Sequence, residues 1–575
     1  MPAHEEITSP PGPLSPGTTL PFSRPLTLGD QLTVEAWVEA DDARLEGMQA
    51  LVSQWRPPDA MDRFAAHDAA GTDGLNSTGY FGAVFDGRYV YFAAEMHGDR
   101  STHAQILRYD TQGPFNDPDS YAAYDAGATD GLDVRGFYGA VFDGRYVYFV
   151  PRQLDMDQYH SRILRLDTLG DFSAPSSWNA YDVGEAHSQQ SAAFDGRYIY
   201  FSPGFYNDPK SEADYSGQVI RADTQGPFKN PASYTSVDLT RLLDPRAACF
   251  DGAAFDGRYI YLVPLYDAYA VRYDSRSDFA DPTAWEGFAA DQVGMGANVG
   301  AVFDGRHLYY CAYGHDRIVR FDTQNDFTDP TAWQSRSVDH TDGLRTTGFD
   351  GGFFDGRFVY FQPFFVRHGE QPPTFHSHYL RYDPSRDFAD PASWQAHDAS
   401  ATDGLHSVGY NGGVFDGRYF YAAPWQQGPD PDDPDRFITH ATILRCDTLG
   451  NDGAFSLRYC DYGHNGGLNA AAPGPSFLVN TQNGVLSVAA HRALPPGPHH
   501  LAGTYDGATL KLYIDGELTA QREGQGLLVD NALPVVLGQI QDGQAHFRGR
   551  IKGARLLGRA LDPDAVRASA QTPPA

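Results

Sequence analysis

A four-residue motif, F-D-G-R, occurs seven times in this chain of 575 residues. The copies begin 48–61 residues apart, and each is followed by a run of β-favouring residues such as RYVYF. Asp-Gly between two such runs is a strong hairpin signal, since glycine accepts the positive φ of a tight turn. Each copy therefore predicts one antiparallel hairpin. The motif phenylalanines are Phe85, Phe142, Phe194, Phe255, Phe303, Phe354 and Phe415.

Every repeat contains further strand signals after its hairpin. A third run, such as ILRYDT, follows the hairpin, and in the first six repeats a fourth run follows the pattern F-x-x-P-x-x-W/Y. Four short strands repeated seven times are typical of a β-propeller, in which each blade buries its sheet faces against its neighbours. Small residues before the motif, such as Gly82 and Ala83, suit innermost strands that crowd around an axis. The sequence therefore predicts an all-β protein with a seven-bladed propeller.

The seventh repeat lacks its fourth strand. It stops after ILRCDTLG at Gly450, but DRFAAHDAAGTDGL at 62–75 closely matches SWQAHDASATDGL at 393–405. A strand at 63–69 is therefore predicted to complete the last blade and close the ring. Closure of this kind also removes exposed sheet edges.

Two segments lie outside the repeats, at about 17–56 and from about 455 onward. They contain LTVEAWV, LVSQW, HHLAGTYDGATLKLYIDGEL and FRGRI in that order. This order resembles the laminin-G-like, concanavalin A-like jelly roll, and the resemblance implies a sandwich with the propeller inserted into one of its loops. The predicted domains are a disordered leader at 1–16, jelly-roll parts at 17–56 and 451–570, and the propeller at 57–450. The repeats themselves resemble bacterial sequences of the F-D-G-R-Y type.

Charge and hydropathy exclude several classes of function. The formal net charge is −31, and an acidic surface repels nucleic acid. No apolar run approaches the roughly 20 residues that span a bilayer. The first residues show neither the basic start nor the apolar stretch of a signal peptide, which leaves extracellular and cytoplasmic locations both open.

Motifs shared by all repeats are predicted to be scaffold, because a sevenfold feature does not mark one asymmetric site. This applies to F-D-G-R and to the R-x-D of each third strand, where arginine–carboxylate pairing is expected. T-D-G-L, which occurs four times, is most simply a turn, and its aspartates have weak potential as calcium ligands. They are Asp73, Asp130, Asp342 and Asp403.

Positions that differ between the repeats are the better candidates for function. The residue four before each motif phenylalanine should lie near the mouth of the axial channel. At this position and beside it stand the candidate ligand-binding residues Tyr80, Tyr138, Gln190, Asn298, Phe349, Tyr410 and Asn411. Asp251 and Asp350 share the same position, and with His187 they are the candidate catalytic residues. The two aspartates are also the candidate ligands of a divalent cation, Ca²⁺ or Mg²⁺. The alternative is a water-filled channel lined by satisfied polar groups.

Long loops and recurrent histidines complete the candidate ligand-binding set. Trp425 begins a long loop on the same predicted face, and loops on a rigid scaffold commonly carry function. Histidine precedes the third strand in five repeats, as His103, His160, His315, His376 and His440. These imidazoles are candidates for ligand binding, metal binding or proton transfer. The alternative is that each one caps its own loop.

Three functions are compatible with this sequence. The first is a carbohydrate- or polymer-binding protein that uses the propeller loop face together with the jelly roll. The second is an enzyme, a polysaccharide lyase or hydrolase that could require a divalent metal, with its site at the axial channel. The third is a structural or interaction scaffold. The expected partner is a glycan, another polymer or a small molecule.

Overall fold

The computed structural model of the chain describes residues 6–9, 14–20, 28–40, 49–156, 158–184, 187–206, 215–368, 371–433, 435–460, 469–470, 474–490, 494–495, 497–531, 533–541 and 545–572. Within these residues the fold is all-β, with two α-helices at Leu239–Leu242 and Pro563–Ala570. Neither helix is long and apolar enough to cross a membrane.

Seven sheets form the blades, numbered 1–7 from the first F-D-G-R copy, and each contains four antiparallel strands from the repeats. The sheet of blade 2 has a fifth, parallel strand, Asn469–Ala470. The innermost strands are Tyr80–Phe85, Phe137–Phe142, His187–Phe194, Phe250–Phe255, Asn298–Phe303, Phe349–Phe354 and Tyr410–Phe415. The second strands are Tyr89–Ala94, Tyr146–Pro151, Tyr198–Tyr206, Tyr259–Pro264, His307–Ala312, Val359–Pro363 and Tyr419–Pro424. The third strands are Gln105–Asp110, Arg162–Asp167, Gln218–Asp223, Tyr269–Asp274, Arg317–Asp322, His378–Tyr382 and Thr442–Asp447. The outermost strands of blades 1–6 are Tyr121–Asp125, Trp178–Asp182, Tyr234–Asp238, Trp285–Ala289, Trp333–Ser337 and Trp394–Asp398.

The ring closes through a strand from the N-terminal side of the repeats. The segment matched at 63–69 forms strand Phe64–Asp68, which pairs antiparallel with the third strand of blade 7, Thr442 opposite Asp68 and Cys446 opposite Phe64. Each innermost strand contacts the next, and the innermost strand of blade 7 contacts that of blade 1. Blade 7 is therefore built from both ends of the repeat region.

Short elements decorate the blades. Two-stranded ribbons are Gln153–Asp155 with Gln158–Tyr159, His340–Thr341 with Leu344–Arg345, Phe365–His368 with Gln371–Phe375, and Gln426–Pro429 with Phe437–Thr439. A 3₁₀ turn precedes the outermost strand at Pro118–Ser120, Pro175–Ser177, Pro231–Ser233, Pro282–Ala284, Pro330–Ala332 and Pro391–Ser393. Others lie at Thr72–Gly74, Thr129–Gly131, Ala290–Val293 and Thr402–Gly404. Three of the ribbons, those after the second strands of blades 2, 6 and 7, lie on the face opposite the F-D-G-R hairpins.

The F-D-G-R motif forms the hairpins of one face, here called the hairpin face. Asp86 accepts hydrogen bonds from the backbone N–H groups of Arg88 and Tyr89 at 2.8 and 2.6 Å. The motif aspartates of the other six blades make the same two bonds. The Arg88 side chain pairs with Asp110 of R-x-D at 2.7 Å. The same arginine–aspartate pair forms in every blade except blade 6, where Arg357 pairs with Asp59 instead.

Repeated residues also join neighbouring blades. The guanidinium carbon of Arg108, in the third strand of blade 1, lies 4.3 Å from the ring centre of Phe172 in blade 2. The T-D-G-L aspartate takes a left-handed backbone conformation, with φ of 51° at Asp73, and its carboxylate accepts the Ala123 backbone N–H at 2.8 Å. Asp130, Asp342 and Asp403 make equivalent bonds to the outermost strands of blades 2, 6 and 7. These aspartates therefore act as turn residues that bind the outermost strand of their blade.

The remaining strands form a two-sheet sandwich from both ends of the chain. One sheet contains, in spatial order, Glu6–Thr8, Gly549–Leu557, Leu32–Ala40, Gly497–Tyr505, Thr509–Ile514 and Glu517–Glu523. The other contains Gly484–Ala489, Ser476–Thr481, Gly453–Cys460, Gln49–Trp55 and Val536–Leu537. Their inner faces bury one apolar core that includes Val34, Leu51, Phe477 and Leu512. The fold is therefore a β-propeller inserted into a concanavalin A-like sandwich.

Hydrogen bonds fasten the two units together where the chain passes between them. The fully buried Arg458 of the sandwich donates to the Gly417 carbonyl in the blade 7 hairpin at 3.3 Å. The Trp55 indole donates to the Leu449 carbonyl at 3.1 Å. The backbone of Asn469–Ala470 pairs in parallel with Ala140–Val141 of the innermost strand of blade 2. A segment of the sandwich therefore reaches the axis of the propeller.

The leader predicted to be disordered at 1–16 is partly ordered. Glu6–Thr8 forms an edge strand paired with Gly549–Leu557, whereas residues 1–5 and 10–13 lie outside the described part of the chain. Ile7 and Leu14 pack against the sandwich core. The segment was predicted to be disordered because it is rich in Pro, Ser and Gly. Two single apolar side chains do not change that composition, although they anchor the segment to the sandwich.

Candidate functional site

A cavity of about 250 Å³ lies at the axis on the face opposite the hairpins. The start of the innermost strands and the residues just after the second strands build its wall. The lining residues used below are Phe81, Glu95, Tyr138, Arg152, Gln190, Asp251, Tyr266, Tyr313, Phe364, Asn411 and Trp425. The site is therefore made by different residues at two equivalent positions of the repeat.

A β-bulge directs the innermost-strand residues to the axis. In blade 1 the register shifts between Tyr80 and Ala83, so Phe81 and Gly82 stand outside the regular pairing, and Gly82 has a φ of 70°. The innermost strands of the other blades show comparable shifts. A bulge re-aims a side chain, and glycine permits the positive φ. This explains why the variable residue is followed by glycine in six of the seven repeats.

Two buried aspartates sit at this position. Asp251 accepts a hydrogen bond from the Tyr138 hydroxyl at 2.9 Å, and Asp350 accepts one from the Asn411 amide at 2.7 Å. Burial raises the pKa of Asp251 to about 7, against the lowering effects of Tyr138 and Arg152. Burial and the negative charge of Asp251 raise the pKa of Asp350 well above its usual range. Neutral carboxylic acids and carboxylates therefore coexist here near neutral pH.

A buried ion pair stands beside the aspartates. The Arg152 guanidinium bonds Glu95 at 2.5 Å, and the Glu95 side chain is fully buried. Burial raises the pKa of Glu95 to about 7, while Arg152 and Trp425 act in the opposite direction. Both charged residues occupy the position directly after the second strand, in blades 1 and 2. This ion pair therefore joins blades 1 and 2 at the cavity wall.

Aromatic rings form much of the cavity wall. Phe81 stacks on Tyr138 with ring centres 4.5 Å apart and contacts Trp425 at 4.6 Å. Trp425 in turn lies 5.5 Å from Phe364. The Arg152 guanidinium carbon lies 4.7 Å from the Tyr138 ring centre. The aromatic wall already contacts one cation, which belongs to the protein itself.

Several buried oxygen atoms at the cavity have no hydrogen-bond partner among the residues that the structure describes. They are Asp251 Oδ1, Gln190 Oε1 and Asn411 Oδ1, and their residues are at most 4% exposed. Asp350 Oδ1, which lies behind Asn411, is also buried without a partner among the described residues. Leaving a buried polar atom unsatisfied costs about 1–3 kcal/mol. Such atoms gathered on one cavity are suited to the hydroxyl and amino groups of a ligand.

Four predicted ligand-binding residues lie outside the described cavity wall. Each stands one residue before the bulge and packs within its own blade. Tyr80 lies against Phe92 and His103, Phe349 lies against Phe361, Tyr410 lies against His440, and the Asn298 amide donates to the Gly296 carbonyl. Successive strand residues point in opposite directions, which separates these side chains from their axial neighbours.

The five recurrent histidines also lie outside the described lining of the cavity. His160 Nε2 bonds the Arg135 carbonyl at 2.8 Å, and its Nδ1 accepts the Arg162 backbone N–H at 3.0 Å. His315 and His376 make the same pair of bonds, and His440 and His103 each make one of them. Burial lowers the pKa of His160 to about 4. These contacts tie the start of the third strand to the entry of the innermost strand.

His187, the third catalytic candidate, begins the innermost strand of blade 3. It is fully buried, its ring lies 5.7 Å from that of Tyr206, and it is not among the described lining residues. Burial lowers its pKa to about 4. Across the described residues, no group of three or more His, Cys, Asp or Glu side chains is placed to hold a metal ion. A cation at Asp251 and Asp350 stays a prediction.

Sequence reasoning missed Glu95, Arg152, Tyr313 and Phe364. All four come directly after the second strand, at a position that reads Glu95, Arg152, Gly204, Leu265, Tyr313, Phe364 and Trp425 around the ring. Seven different residues follow seven nearly identical strands. This variation between repeats was the signal available in the sequence. It separates the position from the repeated scaffold residues as clearly as the variation at the innermost-strand position does.

Comparison with known proteins agrees with the two-part fold. Residues 436–567 match the family model of the concanavalin A-like lectin/glucanases superfamily. The chain is a propeller joined to a laminin-G-like domain. No curated protein sequence gives a match.

Solved structures similar to this chain are propellers of low sequence identity. Virginiamycin B lyase from Staphylococcus aureus is 12% identical, with a TM-score of 0.40, over 67% of this chain and 98% of that one. The periplasmic gluconolactonase PpgL of Pseudomonas aeruginosa is 13% identical, with a TM-score of 0.36, over 63% and 99%. A putative 6-phosphogluconolactonase from Bacteroides uniformis is 14% identical, with a TM-score of 0.36, over 63% and 100%. At these identities and scores, the similarity does not bear on activity.

Proposed function

We propose that this protein binds carbohydrate, with one sugar unit in the axial cavity. The observation that carries the proposal is the set of unpartnered oxygen atoms of Asp251, Gln190 and Asn411 beside an aromatic wall. Sugars are recognised in this way, by hydrogen bonds to hydroxyl groups and by ring faces packed on aromatic side chains. The carboxyl groups with pKa near 7 supply both donors and acceptors.

The size of the cavity supports a single small unit. Its volume of about 250 Å³ lies below the roughly 300–1,000 Å³ of pockets for drug-sized ligands. One sugar ring is of suitable size, whereas the rest of a longer glycan would extend over the loop face. The match of residues 436–567 to a family named for lectins and glucanases supports the same ligand class for the sandwich.

A glycan array combined with retention on insoluble polysaccharides tests this proposal. We expect at least one glycan to be bound, and Gln190→Ala to weaken its affinity about tenfold, because the side chain supplies a buried hydrogen-bonding group. Gln225→Ala, the same substitution at an exposed site on the hairpin side, is the matched control and should leave affinity unchanged. Failure of every glycan to bind would refute the proposal.

An acid–base enzyme acting on polysaccharide is the second candidate. The specific observation is the Tyr138–Asp251 hydrogen bond together with an Asp251 pKa of about 7, a value suited to proton transfer near neutral pH. Asp251 would act as acid or base. Asp350 would supply a second carboxyl charge beside it, or would bind a divalent cation. Turnover of a bound polysaccharide that disappears in Asp251→Asn, while binding persists, would favour this candidate. Metal analysis of the purified protein would test the cation.

A further inference from the structure

The charged groups around the axial cavity are unequal in number. Among the described residues, the carboxyl groups of Glu95 and Asp251 line the cavity together with one guanidinium, that of Arg152, which is already paired with Glu95. The carboxyl group of Asp350 lies close enough for Asp251 and Arg152 to shift its pKa. The other titratable groups near Asp251 are the Tyr138 and Tyr266 phenols and the Cys249 thiol, and burial raises the pKa of each, which keeps them neutral. Within the part of the chain that the structure describes, Asp251 at the cavity wall and Asp350 beside it therefore have no cation of their own.

The geometry of Asp251 leaves one oxygen for a ligand. Its Oδ2 accepts the Tyr138 hydroxyl, whereas its Oδ1 has no partner in the described part of the chain and the residue is 4% exposed. Gln190 Oε1 and Asn411 Oδ1, on the same cavity, are acceptors that likewise lack a partner among those residues. An ammonium group has three donors and no acceptor, and it suits a set of acceptor oxygens better than a hydroxyl does.

The ring faces beside these oxygens favour the same chemistry. Aromatic rings attract cations through their negative faces, and organic ammonium ligands are bound in aromatic cages. Phe81 and Tyr138 already receive the Arg152 guanidinium at 5.2 and 4.7 Å. Tyr266, Tyr313 and Trp425 line other parts of the cavity wall. Carboxylate, amide oxygens and rings thus surround one small space.

We infer that the sugar unit bound in the axial cavity carries a cationic amino group, which lies at Asp251 Oδ1 among the aromatic rings. This inference rests on the proposed function, and it narrows the ligand to glycans that contain unacetylated amino sugars. A neutral sugar would leave the excess carboxyl groups without a counter-charge. An acidic sugar would add a further negative charge to the cavity.

Three tetrasaccharides of one linkage provide the test, because they differ only at carbon 2. They are the β-1,4-linked tetramers of glucosamine, N-acetylglucosamine and glucose, each titrated calorimetrically into the full-length protein. We expect the glucosamine tetramer to bind about tenfold more tightly than the other two. Its affinity should increase from pH 5 to pH 6, where the ionised fraction of Asp251 rises while the amino groups of the ligand keep their protons, and that of the glucose tetramer should stay constant.

Substitution of Asp251 locates the effect. Asp251→Asn should remove the preference for glucosamine, and Asp119→Asn, the same change at an exposed residue on the hairpin side, should keep it. Equal or tighter binding of the glucose or N-acetylglucosamine tetramer to the wild-type protein would overturn the inference and leave carbohydrate binding standing. Absence of binding by all three tetramers and by the glycan array would refute both. Binding of the three tetramers to the wild-type protein tests the inference even if Asp251→Asn does not fold.

Discussion

The two faces of the propeller differ in how far their buried polar groups are hydrogen-bonded. On the hairpin face, Asp86 and its six equivalents accept two backbone N–H groups each, and the motif arginine is paired in turn. At the axial cavity, Asp251, Gln190 and Asn411 each retain an oxygen that no described residue hydrogen-bonds. The first arrangement recurs in every blade, whereas the second arises where the blades differ. Repetition here marks polar groups that stabilise the fold, and variation marks polar groups that remain available to a ligand.

The largest expected loss of stability comes from replacing a motif aspartate of the hairpin face. Asp86→Ala removes the acceptor of the Arg88 and Tyr89 backbone N–H groups and of the Tyr91 hydroxyl. We expect the free energy of unfolding to fall by about 3 kcal/mol, because these donors lose their partner. Urea titration followed by tyrosine and tryptophan fluorescence measures the change. Asp119→Ala, at an exposed residue of the following turn, is the control, and a loss below about 1 kcal/mol in Asp86→Ala would contradict the comparison.

A second prediction concerns pH and the cavity. A raised pKa in the folded state means that the unfolded chain releases its proton first, so the contribution of Asp251 to stability falls as the pH rises from about 4 to about 7. Asp251→Asn removes this dependence, and at pH 8 we expect the variant to be more stable than the wild type by about 4 kcal/mol. Thermal unfolding at pH 4.5 and at pH 8 measures the difference. A variant less stable than the wild type at pH 8 would show that the carboxylate is satisfied in the fold.

The smallest expected effects on stability come from two copies of the repeated arginine–aspartate ion pair. Arg88 and Asp110 are 50% and 23% exposed, whereas Arg418 and Asp447 in blade 7 are 10% and 17% exposed and Arg418 also bonds Asn451. Arg418→Ala should lower the free energy of unfolding by about 1.5 kcal/mol, and Arg88→Ala by about 0.5 kcal/mol. Urea titration of both variants compares them directly. Equal losses would show that burial beside the sandwich does not strengthen the repeated pair.

Repetition made much of the fold predictable. Asp-Gly turns flanked by β-favouring residues specify the hairpins, and the near-identity of 62–75 with 393–405 identifies the strand that pairs with Thr442–Asp447. The order of the sandwich strands was recognisable only through a family resemblance. Ile7 escaped prediction because a single apolar side chain on an edge strand produces no periodic pattern.

The site was predictable in part. Tyr138, Gln190, Asp251 and Asn411 occupy an equivalent repeat position that a glycine follows in most repeats, and that position does face the cavity. The pairing of Glu95 with Arg152 depends on the angle between blades 1 and 2, which strand patterns do not encode. The same limit applies to Tyr80 and Asn298, because the bulge decides which of two adjacent residues turns inward.

The order in which the strands pair has a consequence for synthesis of the chain. Leu32–Ala40 pairs with Gly497–Tyr505, and Phe64–Asp68 pairs with Thr442–Asp447, so these early segments leave the ribosome long before their partners. Until then their unpaired edges are exposed to other nascent chains, a condition that favours misassembly and engages chaperones. Blade 7 is completed once residue 447 has emerged, and the sandwich needs the strand that ends at residue 557. Translation therefore allows the ring of blades to close first, and the sandwich is completed last.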